Sequence, residues 1–67
     1  MTQELSPHEF LTPEEAGELA RLSPRTLENH RLNRTGPRYY RIGPGRIARI
    51  LYHRRDLLAW METYAEE

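Results

Sequence analysis

The chain has no cysteine and no lysine among its 67 residues. Without cysteine there is neither a disulfide nor a thiolate zinc site to staple the fold. A core of this size supplies only ~3–5 kcal/mol by itself. The three histidines, His8, His30 and His53, stand 22 and 23 residues apart, which matches no metal-ligand spacing. No apolar run approaches the ~18 residues of a membrane span. Residues 1–10 have neither the basic nor the apolar stretch of a signal peptide. No Ser–His–Asp or Cys–His arrangement can be drawn from these spacings. The neighbouring pairs Glu14–Glu15 and Glu66–Glu67 do not face each other across a site. One small cytoplasmic domain is expected, with no cofactor, metal, membrane or small-molecule substrate, and an enzyme is the least favoured class.

Net charge is also lacking, since ten cations and ten anions cancel. Their distribution is uneven. Residues 1–20 carry five glutamates and no cation, residues 21–55 carry all ten arginines and only Glu28, and residues 56–67 carry four carboxylates. An electropositive middle lies between two acidic ends. A GC-rich genome would favour arginine over lysine codons, but it would not cluster them. Arginine presents a planar pair of donors that fits phosphate and guanine, so the cluster points to a polyanion-binding surface.

The polar segment 1–9, with Pro7, reads as a loose arm, and residues 10–65 read as the domain. Thr12-Pro13-Glu14-Glu15 has the form of a helix start: a threonine cap, proline at the first position and a glutamate placed to close a capping box. Ala16, Leu19 and Ala20 then give one apolar stripe over 13–20. Ser23-Pro24 repeats the start signal after a turn of about three residues, a helix-turn-helix spacing. The second helix is expected from Pro24 to about Asn33, ended by Gly36-Pro37. Residues 38–42 and 47–52 are rich in β-formers around the Gly43-Pro44-Gly45 turn, which predicts a β-hairpin. His53 stands where it can cap a last helix over about 54–65, whose Leu57, Trp60, Met61 and Tyr64 share one face. The fold class is mainly α with a hairpin, in the order helix, helix, hairpin, helix. The hairpin and the Trp60 helix must close the core over Leu19, Leu22 and Leu27.

With Leu27 facing the core, Arg25 and Asn29 fall on the far side of the second helix. Arginine matches O6 and N7 of guanine, and asparagine matches N6 and N7 of adenine, so the pair suits the major groove. Ser23, at the helix start with its free N–H groups, suits a phosphate. Thr26 is lateral, and Arg31 and Arg34 lie nearer the Leu27 edge. The hairpin adds Arg38, Arg41, Arg46 and Arg49, a basic wing for phosphates or the minor groove. Gly43-Pro44-Gly45 is not a phosphate-binding loop, because Pro44 interrupts it and neither a lysine nor a helix follows. Of Tyr39 and Tyr40, one is expected to pack inward and the other to flank the wing. His30 reads as a half-buried spacer beside the core. For Arg25 or Asn29 taken singly, ordinary solvent exposure is a sufficient explanation; their joint placement behind the Ser-Pro start favours base contact.

Four stretches together resemble the excisionase family of small winged helix-turn-helix proteins, with AlpA-like phage regulators and relatives of the MerR DNA-binding domain. They are Leu11-Thr12-Pro13-Glu14-Glu15-Ala16, Leu22-Ser23-Pro24-Arg25-Thr26-Leu27-Glu28-Asn29, Gly36-Pro37-Arg38-Tyr39-Tyr40-Arg41-Ile42-Gly43, and Tyr52-His53-Arg54-Arg55-Asp56-Leu57-Leu58-Ala59-Trp60. The resemblance implies a winged helix whose second helix reads double-stranded DNA. It implies a role as a recombination directionality factor for an integrase, or as a regulator of a mobile element, with cooperative binding and bending of DNA. It puts Arg25, Thr26 and Asn29 on reading positions and Arg41 and Arg46 on the wing. Three features depart from the family. Arg21 stands where a turn glycine is usual, which would cost ~1 kcal/mol at positive φ. His30 replaces a Trp or Leu, and the hairpin is longer than in compact members.

Two further readings follow from the acidic ends. The fold could serve as a protein-interaction module, antiactivator-like, that has lost DNA. Alternatively, the ends could meet a neighbour's arginine face and give head-to-tail assembly on DNA, against the plain alternative that they only aid solubility.

Overall fold

The computed structural model describes residues 9–66. In chain order the elements are β1 (Phe10–Leu11), α1 (Pro13–Ala20), α2 (Pro24–Leu32), β2 (Tyr40–Ile42), a 3-10 turn (Gly45–Ile47), β3 (Arg49–His53) and α3 (Arg54–Glu62). Three short helices pack with a small antiparallel sheet of strand order β1-β3-β2, a winged helix-turn-helix architecture.

Local chemistry sets each helix start. The Thr12 hydroxyl accepts the Glu15 N–H at 3.1 Å while the Glu15 carboxylate accepts the Thr12 N–H at 3.0 Å, so the capping box is closed. The Ser23 hydroxyl accepts the Thr26 N–H at 3.1 Å. His53 caps α3 by accepting the Arg55 N–H on Nδ1 at 3.1 Å. Its Nε2 lies 3.2 Å from the Glu9 carboxylate. A ring nitrogen that accepts carries no proton, so the Nε2–H tautomer fits both contacts.

The helix ends are alike. After α1, the Leu22 N–H reaches back to the Gly17 carbonyl at 2.8 Å, and after α2 the Thr35 N–H reaches the His30 carbonyl at 2.8 Å. Both closures need one residue in the left-handed region. Those residues are Arg21 (φ 62) and Arg34 (φ 59). The turn between α1 and α2 is so tight that a Cβ on Gly17 would clash with the Leu22 carbonyl oxygen.

Each main element sends one side chain into the centre: Ala16 from α1, Leu27 from α2, Tyr52 from β3 and Leu57 from α3 are fully buried. Leu19, Leu22, Tyr39, Ile50, Trp60 and Met61 are among the half-buried residues that pack around them. His30 is half-buried, edge-on to Trp60 with ring centres 5.4 Å apart, and its Nδ1 lies 2.7 Å from the Thr35 hydroxyl.

Several boundaries differ from the sequence expectation. The hairpin strands are 40–42 and 49–53 rather than 38–42 and 47–52. Gly43 (φ 108) and Gly45 (φ 53) turn the chain into a six-residue connection that takes up Ile47 and Ala48. Helix α2 ends at Leu32 with Asn33 as its cap, as expected, but α3 ends at Glu62, not at about 65. Past Glu62 the backbone closes tighter turns, and the Thr63 hydroxyl bonds the Trp60 carbonyl at 2.6 Å. Tyr64 is therefore 65% exposed, though it still stacks edge-on against Trp60. Strand β1 was not expected. Phe10 pairs with His53 and Leu11 with Tyr52, which widens the hairpin to three strands. Of the expected arm, residues 1–8, His8 among them, lie outside the described residues.

Candidate nucleic-acid interface

Helix α2 spans nine residues and is about 13.5 Å long at 1.5 Å per residue; its diameter with side chains, about 10–12 Å, matches a major groove about 12 Å wide. A step of about 100° per residue from buried Leu27 puts Arg25, Asn29 and Leu32 within about 60° of one another on the opposite side. All three are exposed. The face inferred from the sequence thus points outward, and it contains a third member, Leu32, that the sequence reading did not pick out. A second leucine on a short helix reads by default as core, whereas here it is 73% exposed.

Ser23 and Thr26 flank the start of this face with their hydroxyl oxygens 3.0 Å apart. One hydroxyl proton is used between them and the other is free to donate outward. Arg34 is exposed just past the helix end, held there by its left-handed backbone. Arg31 has a different place. Its guanidinium donates to the Tyr52 hydroxyl at 2.7 Å and lies 5.8 Å from the Tyr39 ring centre. It is half-buried and clamps α2 to the sheet, so the structure does not bring it together with Arg25 and Asn29.

The wing arginines are all exposed, but they do not share one face. Arg41 pairs with Ile50 and Ile42 with Arg49. Directly opposed residues project to the same side of a ribbon. Arg41 therefore lies on the side of Ile50 and buried Tyr52, and Arg49 on the other side with Ile42. Arg46 sits at the tip in the 3-10 turn, next to Ile47, which is 79% exposed. The guanidinium of Arg38 lies 5.5 Å from the Tyr40 ring centre, and the Tyr40 hydroxyl points to the Asp56 carboxylate at 3.4 Å. Tyr39 packs on the core, while Tyr40 stands at the base of the wing against Phe10.

Among the described residues no arginine lies within ion-pair distance of a carboxylate; the pair observed is His53 with Glu9. No carboxylate of the described residues therefore neutralises the exposed guanidinium groups. Among the described residues no group of three His, Asp or Glu side chains is arranged to hold a metal ion, and no helix is long and apolar enough to cross a membrane.

The family model for the helix-turn-helix domain matches residues 10–65. No curated protein and no solved structure gives a significant match to the chain. The chain belongs to the helix-turn-helix domain family.

Proposed function

We propose that this domain binds double-stranded DNA sequence-specifically, with α2 in the major groove and the β2–β3 hairpin along the flanking backbone or minor groove. The observation that carries this is the outward face of α2, where Arg25 and Asn29 stand one turn apart among arginines that no carboxylate of the described residues pairs. Phosphate contacts from Ser23, Arg34 and the wing would set position, while Arg25 and Asn29 would read guanine and adenine. The resemblance to excisionases, AlpA-like regulators and relatives of the MerR DNA-binding domain supports the reading that this binding serves a mobile element. There it would act as a recombination directionality factor beside an integrase, or as a transcriptional regulator. The reading is cytoplasmic and non-enzymatic, and it needs no cofactor, metal or small-molecule substrate. Head-to-tail self-assembly along DNA fits the exposed glutamates Glu14 and Glu18 of α1, which could face a neighbour's arginines.

The test is an anisotropy titration against duplexes selected from a randomised pool and against the DNA next to the protein's own gene. Affinity should fall with salt at a log–log slope of about −0.9 per phosphate neutralised. Arg25→Ala and Asn29→Ala should each relax discrimination at a particular base pair by ~1–3 kcal/mol. If both variants discriminate as the parent does, α2 is not the reader. The acidic face of α1 favours one competing reading, a protein-interaction module. It would be upheld by absence of duplex binding at low salt together with capture of a partner protein.

A further inference from the structure

We infer that Leu32 is a specificity-determining residue that packs against the methyl group of a thymine in the major groove. The inference rests on the reading of α2 as the major-groove helix and adds to it the identity of one base.

Helix α2 carries two leucines with opposite fates. Leu27 is fully buried, whereas Leu32 is 73% exposed and takes no part in the core. The next turn does not cover it, because the chain leaves the helix at Asn33 and reverses through Arg34. Its neighbours on the outward face are Arg25 and Asn29, so an apolar group sits among donors suited to base edges. In the major groove, the apolar feature that a base edge offers is the C5-methyl of thymine. The neighbourhood also favours DNA over an apolar protein surface. The one carboxylate on α2 is Glu28, and exposed Arg25 on the face and Arg34 just past the helix end give it positive charge. An apolar partner would have to bury those charges, whereas the groove supplies phosphates along its rim.

Spacing makes the inference specific. Leu32 lies about 4.5 Å beyond Asn29 along the helix axis, and base pairs stack at about 3.4 Å. An adenine read by Asn29 would therefore be followed, one or two base pairs on, by a thymine against Leu32. Arg25, about 6 Å to the other side of Asn29, would meet a guanine across the adenine from it.

The experiment uses the full chain and a duplex of about 25 base pairs that the protein itself selects from a randomised pool. Each thymine in the selected site is replaced, one at a time, by deoxyuridine, which removes the methyl and leaves the hydrogen-bonding edge intact. At one position the replacement should weaken the parent by about fourfold, which is the ~0.8 kcal/mol of one buried methyl converted at 1.4 kcal/mol per tenfold. Leu32→Ala should bind the thymine duplex more weakly than the parent and be indifferent to that replacement. Its melting temperature should equal the parent's, because the side chain lies outside the core. Arg25→Ala should lose discrimination elsewhere and keep its sensitivity to the methyl.

The inference is overturned if no deoxyuridine position separates the parent from Leu32→Ala. It is equally overturned if Leu32→Ala loses affinity only through weaker cooperativity between copies, which would assign the side chain to a protein contact. If the parent shows no preference among duplexes, the major-groove reading itself falls and takes the inference with it. That result is distinct from a parent that selects a site and ignores its methyl groups.

Discussion

Replacing Arg21 by glycine should stabilise this domain, although it deletes a whole side chain. Arg21 closes α1 at φ 62 and ψ 40, in the left-handed region. A residue with a Cβ is disfavoured there by ~1–2 kcal/mol. Glycine relieves that cost but adds ~0.4–1 kcal/mol of chain entropy to the unfolded state. The difference leaves a net gain of ~0.5–1 kcal/mol, and a domain of 60–100 residues responds by about 4–8 °C per kcal/mol. Thermal unfolding followed by far-UV circular dichroism should show a rise of about 2–8 °C. Arg21→Ala is the necessary control, because it removes the charge and keeps the Cβ. Its stability should stay within ~0.5 kcal/mol of the parent. An alanine variant that gains as much as the glycine variant would falsify the backbone argument, since relief of repulsion among the arginines would then be the cause. A glycine variant that melts at or below the parent refutes it as well. Arg34, at φ 59 after α2, repeats the experiment inside the same molecule.

Two further outcomes follow from the packing. Gly17→Ala should destabilise by ~2 kcal/mol or more, because the new Cβ would clash with the Leu22 carbonyl oxygen and overpacking against backbone outweighs the ~1 kcal/mol that alanine gains in helix propensity. A urea midpoint at or above the parent's would show that the turn between α1 and α2 can open. The Arg31–Tyr52 hydrogen bond of 2.7 Å involves a charged donor, so Tyr52→Phe should cost ~1.5–3 kcal/mol. Arg31→Leu should then cost clearly less on the Tyr52→Phe background than alone, and equal costs on the two backgrounds would show that the clamp is not coupled.

The parts of the fold that were legible in the sequence are those set by local chemistry. Thr12-Pro13 with Glu15, Ser23-Pro24 and His53 each mark a helix start through a bond to a backbone N–H within three residues. A short window of sequence suffices to see such a bond. Tertiary features were harder to read. Strand β1 is two residues long, too short for any period to appear, and it exists because β3 offers Phe10 and Leu11 an edge. The hairpin strands begin and end where Gly43 and Gly45 adopt positive φ, and the β-branched Ile47 was drawn into a turn against its own preference. Gly17 gave no sign of its role, because the atom it must avoid belongs to the following turn.

The candidate site divides along the same line. Helical periodicity is enough to turn Arg25 and Asn29 outward, since only the direction of Leu27 has to be known. Periodicity cannot say what a long side chain does near the edge of that face. Arg31, about 40° from Leu27 on the wheel, could have reached a phosphate. It instead found the hydroxyl of Tyr52, a core residue 21 positions away. A buried hydroxyl without a partner costs ~1–3 kcal/mol, so once β3 places Tyr52 against α2, a donor is required there and Arg31 is the side chain long enough to supply it. The arginine-rich middle of the chain therefore has two fates that composition cannot separate. Arg31 ties α2 to β3 through Tyr52, while Arg25 and the hairpin arginines stay exposed.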